Sequence, residues 1–562
     1  MSHLLGISVG PVQEFIAAAR RTRDLWFGSY LLSEISRAVA KSVEADGGKL
    51  IFPASSDAES VANVILVELP SGDPETIADQ AKDAAINCWR QYADRARRDA
   101  GNAVRQDFWD LQVRDVIEFY AAWVAHVDPN MYSEDRKKLV RLLAGRKACR
   151  DFPAQQYKDA GVPKSSLDGQ RPSVLVQPER HGQREQLRES WPKLLRLSKG
   201  EELDIVGVTK RLGRMLGESH PGYASVARIA AESWLQEKRN HSKFEQFKDV
   251  CETIPGLNRV REPAFQYFPF EGTVVYKNRH SDFVDELGDE AKPYLKEVAR
   301  LLRELGGEPN PYLAVLIADG DKMGAAISNL KTREENQRFS KDLAGFADEA
   351  RTIVTKHNGA LIYAGGDDVL AFLPVDQALG CARKLHEDFG TRLAKYGQPT
   401  LSVGIAIGHF MENLEDLLEY GRAAEKAAKK PDRDGLAVHL YKRGGAPIQI
   451  RARWSDSPDQ RLERFARLMN DGIIPTKIPY ELRSMAKVYE QWPNADAAIQ
   501  QDLFRLIAKK ASRSETTVQQ VLSEDIRELD SAKLSNLAEE LLVARMIASA
   551  LRQSKSRKEV TA

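Results

Sequence analysis

The chain has 562 residues, of which 42% are hydrophobic and 29% charged, with 37 Gly and 25 Pro. At roughly 150 residues per domain this suggests three or four domains, and it excludes collagen-like, low-complexity and wholly disordered chains. Lys and Arg (82) nearly balance Asp and Glu (81), so there is no global polycation and any nucleic-acid contact has to be a local patch.

Residues 4–9 read as a strand ending at Gly10-Pro11, followed by helical sequence from 12 to about 45. Residues 49–53 and 61–69 then read as a hairpin whose turn, 54–60, has no glycine pair and no adjacent aspartates. This first unit, 1–130, reads as a degenerate copy of a sheet unit that recurs later in the chain. Residues 131–305 read as mainly helical and irregular. Within them, 136–150 holds seven basic residues (Arg136, Lys137, Lys138, Arg141, Arg146, Lys147, Arg150) and no acid, a patch that is about as often a solvated helix face as a nucleic-acid contact.

The breaker-rich stretch Gly306-Gly307-Glu308-Pro309-Asn310-Pro311 reads as a linker. The unit after it, 306–445, has the clearest pattern. An apolar run of strand length, 312–318, ends at Asp319-Gly320-Asp321, and a helix with apolar spacing at Phe339, Leu343, Phe346 and Ile353 follows. Two apolar runs then flank Gly365-Gly366-Asp367-Asp368 as a β-hairpin. A helix near 376–395, a strand at 401–407, a helix near 412–430 and a strand at 436–441 complete the unit. The fold class expected is α+β, with two ferredoxin-like domains of the nucleotidyl-cyclase or polymerase-palm kind. Residues 446–562 read as helical to the end, with an apolar stripe at Leu534, Leu537, Leu541, Ala544 and Leu551. The basic tail from 552 to 558 is expected to fray.

The chemistry concentrates in the 306–445 unit. In such a sheet the first strand pairs with the hairpin, so Asp319 can sit beside Asp367 and Asp368. Three carboxylates at one point repel unless a cation neutralises them, and hard oxygen ligands favour magnesium or manganese. Two ions could activate a hydroxyl and stabilise a leaving pyrophosphate, so no protein base is required. Gly365 and Gly366 can reach φ > 0 and keep side chains away from an incoming nucleotide. Past Gly320, the backbone N–H groups from Asp321 to Gly324 open toward a helix start and could hold a triphosphate, although Asp321 could equally cap that helix. Lys429 reads as a phosphate partner or as part of a solvated face. Alone, GGDD is an ordinary turn; the upstream strand ending in Asp-Gly-Asp makes it a candidate metal site.

At this point the sequence resembles a known family, the large polymerase-like subunit of type III-B CRISPR effector complexes, the Cmr complexes. The resemblance runs through residues 7–16, 20–32, 163–169 and 200–203, through Lys210-Arg211, and through 225–228 and 318–324, spanning about 1–445. It implies two cyclase-like palm domains, of which the second makes cyclic oligoadenylates from ATP once target RNA pairs with the bound guide. It also implies an antiviral, cytoplasmic ribonucleoprotein whose partners are guide RNA, target RNA and the backbone, guide-end-binding and small helical subunits. On this mapping Asp319, Asp367 and Asp368 are catalytic metal ligands, and Gly365 and Gly366 line the ATP site. Arg20, Arg21, Arg23 and the 136–150 cluster are candidates for sensing RNA.

Two departures qualify the resemblance. Many relatives begin with a nuclease domain marked by His-Asp; this chain is expected to lack it, since its ten histidines include no His-Asp pair, and intrinsic DNA cleavage is not expected. Relatives often carry a four-cysteine zinc site. Here Lys164-Ser165-Ser166 stands in the place of one cysteine pair, and Cys88, Cys149, Cys251 and Cys381 form no C-x-x-C, so zinc is not expected and Cys149 reads as a buried apolar residue. The cysteine spacing fits a reducing cytoplasm. No apolar run approaches 18 residues, and Gly10-Pro11 and Glu14 interrupt the opening, so neither membrane spanning nor secretion is expected. Two other functions fit the residues: a non-catalytic scaffold holding guide RNA and neighbouring subunits, and a free-standing GGDEF-like cyclic-dinucleotide synthase, the latter weakened by Val369-Leu370 where Glu-Phe would stand.

Overall fold

The structure, a computed structural model, describes residues 2–58, 60–149, 161–178, 183–192, 195–215, 223–257, 259–260, 265–490, 492, 495–511, 515–522 and 529–555. Two sheets organise it. Strands β1 (His3–Gly10), β2 (Lys49–Phe52), β3 (Val64–Leu69) and β4 (Glu118–Ala125) form an antiparallel sheet in the order β2-β3-β1-β4. Strands β5 (Tyr312–Gly320), β6 (Ala360–Gly365), β7 (Asp368–Pro374), β8 (Leu401–His409), β9 (Gly435–Leu440) and β10 (Ile448–Arg453) form the second, in the order β10-β9-β8-β5-β7-β6. Within it, β6-β7-β5-β8 repeats the first sheet's order, so the duplication expected from the sequence is present as topology.

In each unit one long helix joins the first strand to the hairpin, Thr22–Ala45 in the first and Arg333–Lys356 in the second. The second begins at a capping box, with Thr332 and Glu335 satisfying each other's backbone N–H groups. The two helices pack reciprocally: the Arg333 helix lies against β2 and the Thr22 helix against β6. Each contact also satisfies an edge-strand carbonyl. Gln337 Nε2 donates to the Leu50 carbonyl at 2.6 Å, and Tyr223 Oη, stacked on Trp26, donates to the Leu361 carbonyl at 2.6 Å. Arg333 pairs with Glu68 at 2.6 Å, and Asn336 donates to Tyr132 Oη at 2.9 Å.

The continuous apolar run in β5 reflects burial on both faces. Leu313 and Val315 join one core with the first unit and the connecting helices, while Ala314, Leu316 and Ala318 join a second core with the helices Arg333–Lys356 and Ala378–Leu393 and the C-terminal helices. The stripe Leu534, Leu537, Leu541 and Ala544 lies buried in the second core, with Leu551 packed at its margin.

Several expectations need correction. The sheet does not stop at 445: Ile448–Arg453 pairs with β9 from Ile448↔Leu440 to Arg453↔Gly435. Its period-two alternation is short and basic and follows Gly444-Gly445, which reads as an end. The tail is helical through Lys555, while 556–558 lie outside the described residues. Cys149 is exposed, because the helix Tyr132–Ala148 projects past Leu143, its last buried residue.

The basic clusters also divide. Arg136 is buried, and its Nη2 donates at 2.7 Å to the Ile327 carbonyl of the second unit. Lys138, Arg141, Arg146 and Lys147 are exposed; Arg150 lies outside the described residues. Arg23 Nη1 donates to the Arg211 carbonyl at 2.6 Å, and Arg21 donates to the Arg196 carbonyl. Burial lowers the pKa of both guanidinium groups, to about 10 for Arg23. Arg21, Arg23 and Arg136 therefore spend donors on backbone carbonyls, whereas Arg20 is exposed.

The connecting helix Ile205–Leu212 carries two fully buried cations into the first unit. Lys210 Nζ donates to the Phe15 and Ala18 carbonyls, both at 2.5 Å. Arg211 pairs with Asp24 at 2.7 Å and Glu201 at 2.9 Å. Among the described residues, no helix is long and apolar enough to cross a membrane.

Replacing Arg211 with Leu leaves Asp24 and Glu201 buried without their counter-ion, which costs about 3–5 kcal/mol. A clear fall in the thermal midpoint of the full chain is expected. An unchanged midpoint would show that this network does not hold the connecting region to the first unit.

Candidate active site

β5 lies inside its sheet, hydrogen-bonded to β7 and β8, with both faces covered. Only its end is open. Leu313, Val315, Ile317 and Asp319 share one face by the period of two, so Asp319 emerges where that face runs out. The β6–β7 turn reaches the same point. Gly365 pairs with Asp368 across a two-residue loop, Gly366-Asp367, and Gly366 has the positive φ, 74°, that this turn requires. A Cβ on Gly320 would stand 2.8 Å from Asp367 Cβ and 2.9 Å from Met323 Cγ. Glycine at 320 is what lets the turn close onto the strand end.

Asp319, Asp367 and Asp368 therefore converge, and their electrostatics record it. Burial, then the Asp319 charge, pushes Asp367 up to about 6. Burial, then Asp367 and Asp319, pushes Asp368 up to about 8, and a hydrogen bond to Asp319 helps Asp368 keep its proton. Lys429, one residue past the helix Leu414–Ala428, reaches the same cluster. Its Nζ stands 2.7 Å from Asp319 Oδ1 and 2.6 Å from Glu425 Oε1. Burial alone would lower its pKa, but the hydrogen bonds and charges of Asp319 and Glu425 outweigh that and hold it above the ordinary lysine value. Among the described residues, no group of three His, Cys, Asp or Glu side chains already stands in a metal-holding arrangement.

Two of the residues expected at the nucleotide, Asp321 and Gly365, differ in role. Asp321 is fully buried and faces away from the cluster. Its Oδ2 accepts from Ser402 Oγ at 2.7 Å, Thr400 Oγ1 at 2.9 Å and the Asp434 N–H at 3.0 Å. Its own N–H donates to the Thr400 carbonyl at 2.7 Å and is not free for a phosphate. Nor does it cap the short helix Met323–Ser328, whose N-cap is Lys322 in the left-handed region. Asp321 instead pins the segment after Lys429, where Arg433 and Asp434 have φ of 63° and 45°. Gly365, unlike Gly366, has no positive φ; a Cβ there would collide with the Tyr363 ring. Its lack of a side chain makes room for Tyr363. Gly324 lies exposed in the first turn of Met323–Ser328, with open space where a Cβ would be.

Sequence reading missed Tyr363 and Glu425. Tyr363 sits beside the aspartates, and burial, then Asp368 and Asp367, raises its phenol; in sequence it is one more residue of an apolar run. Glu425 was legible in principle, since it lies four residues before Lys429 on one helix face.

A sheet of this order, with carboxylates gathered at the end of its central strand and at the adjoining hairpin turn, is a palm domain. Residues 312–437 match the family described as "Cas10/Cmr2, second palm domain", and residues 4–94 match "CRISPR-associated protein Cmr2, N-terminal". The chain is 27% identical over 548 residues to the CRISPR system Cmr subunit Cmr2 of Pyrococcus furiosus, covering 79% of this chain and 62% of that one. It thus spans less than two thirds of that relative's length. It is 42% identical over 55 residues to the CMR subunit Cmr2 of Saccharolobus solfataricus, covering 10% of this chain and 5% of that one. Its fold is similar to a chain of the type III-B Cmr-beta cryo-EM structure in the apo state, with a TM-score of 0.68 at 14% identity over 97% of this chain and 81% of that one. The corresponding figures for Cmr-beta bound to cognate target RNA are 0.65, 14%, 91% and 79%. Residues 4–94 are thus similar to the Cmr2 N-terminal region and residues 312–437 to the Cas10/Cmr2 second palm domain, and most of the chain is similar in sequence to Cmr2.

Because folded Asp367 and Asp368 keep their protons to higher pH than in the unfolded chain, the folded state binds the extra protons between about pH 4 and pH 8. Its stability therefore falls as pH rises through that window and levels off above it. Without metal, Asp368→Asn should flatten the decline in thermal midpoint between about pH 5 and pH 8. An unchanged slope in the variant would contradict the clustering of these carboxylates.

Proposed function

We propose that the chain is the large subunit of a type III-B CRISPR effector complex and that its second palm converts ATP into cyclic oligoadenylates when target RNA pairs with the guide. The observation that carries this reading is the convergence of Asp319, Asp367 and Asp368 within the segment matched to the Cas10/Cmr2 second palm. Guide RNA, target RNA and companion Cmr subunits are the partners this reading implies.

The donor set fits magnesium or manganese. Its oxygens are hard ligands, and burial together with mutual repulsion, which raise Asp367 and Asp368, is a cost that a divalent cation relieves. Bound there, such ions would acidify the attacking hydroxyl and offset charge on the leaving pyrophosphate. In each condensation the 3′ oxygen of one nucleotide bonds to the α-phosphorus of the next, the bond from that phosphorus to the bridging oxygen breaks, and pyrophosphate leaves as the hydroxyl proton passes to solvent.

The protein's own residues prepare the floor for this step. Gly320 admits the hairpin turn, and Gly366 leaves Asp367 as the one side chain that the two-residue loop carries. Asp321 fixes the segment that follows Lys429 from the buried side.

In the assembled complex with ATP, magnesium and target RNA, the double variant Asp367→Ala, Asp368→Ala should lose cyclic product while retaining guide and target RNA. Asp319→Asn should lower the rate at least ~100-fold, since a metal-bound charge is worth several kcal/mol. Mass spectrometry of the products reads both. Undiminished synthesis in the double variant would refute the site. No product from the wild type would favour a scaffold, and equal product without target RNA would favour a free-standing synthase.

A further inference from the structure

Lys429 bridges carboxylates from two different elements, Asp319 at the end of β5 and Glu425 one turn back on its own helix. The Lys429 ammonium thus stands against the strand end where the three aspartates converge. We propose that Lys429 is the resident cation of the metal-free site, and that it yields Asp319 to a divalent ion while Glu425 keeps its ammonium at the rim, facing the phosphates of an incoming nucleotide. This rests on the reading of Asp319, Asp367 and Asp368 as metal ligands.

Three features suit Lys429 to exchange rather than to permanent pairing. Its side chain is 27% exposed, so the ammonium has a path to solvent. The backbone behind it is fixed: Asp321 Oδ2 accepts from the Asp434 N–H at 3.0 Å, and Arg451 Nη2 donates to the Arg433 carbonyl at 2.9 Å. The main chain therefore stays in place while the four-carbon stem swings. Finally, an ammonium and a divalent cation on one carboxylate repel each other at contact distance, and Glu425 offers the ammonium a second partner without moving the helix. A permanent structural pair would behave in the opposite way, since its loss would loosen Asp319 and weaken any cation bound there.

The test is manganese binding to the purified full chain without nucleotide, read from the electron paramagnetic resonance signal of free manganese. Lys429→Met should bind manganese about tenfold more tightly than the wild type, because a competing positive charge is gone. Lys429→Arg, which keeps the charge, should bind it about as the wild type does. A fluorescent ATP analogue, titrated without metal, should bind Lys429→Met more weakly than the wild type, so the two ligands move in opposite directions. Equal or weaker manganese binding by Lys429→Met would overturn the exchange. If the Asp367→Ala, Asp368→Ala variant loses manganese, the site reading stands whichever way Lys429→Met moves. If that variant binds manganese undiminished, both the site and the exchange fall.

Discussion

Burial of the second sheet on both faces is the constraint from which the rest of this structure follows. Leu313 and Val315 are committed to one core and Ala314, Leu316 and Ala318 to the other, so β5 has no face left for chemistry. What remains open is the strand end, and the tightest turn of the same sheet is brought to it. Gly320 has room for Asp367 only because it lacks a Cβ, and Gly366 supplies the positive φ that closes the turn. The carboxylate cluster is thus a product of the packing. The first unit contributes from outside the site: its Thr22 helix covers the exposed edge of β6, as the Arg333 helix covers β2.

Charge in this protein divides into two kinds. Lys210, Arg211, Arg21, Arg23 and Arg136 are turned inward, where they satisfy carbonyls and carboxylates that would otherwise be orphaned in the core. Such groups hold units together and make a basic sequence stretch a poor guide to an RNA surface. At the strand end the balance is reversed. Acidic groups outnumber their partners, burial and the neighbouring carboxylates raise Asp368, and Lys429 pairs with Asp319. Buried cations are set against carbonyls and carboxylates, while the three aspartates are gathered at a strand end that reaches solvent.

Much of this was legible in the sequence, for identifiable reasons. Strand-length apolar runs between glycine-rich turns gave away β5 through β8, and the helix at 333–356 announced itself by its apolar spacing, though its Thr332–Glu335 cap went unread. The degenerate first sheet was visible because it repeats the same order of elements. Side-chain direction was not legible. Asp321 follows Asp319 by two residues, yet the chain has left the strand by then and turns its carboxylate into the core. Gly365 and Gly366 look alike as letters, but one answers a turn and the other a neighbouring ring. Arg136 sits in a run of bases that is otherwise exposed; its burial depends on a carbonyl 191 residues away. β10 was missed because its alternation is written in glutamine and arginine.

The central claim is that Asp319, Asp367 and Asp368 together hold divalent metal beside a nucleotide. Anomalous scattering from crystals of the full chain grown with manganese and a non-hydrolysable ATP analogue tests it most directly. The account predicts manganese density among these three carboxylates, with Lys429 withdrawn from Asp319 toward the analogue's phosphates. Manganese bound elsewhere, or an analogue seated with Lys429 still on Asp319 and no metal at the aspartates, would contradict it.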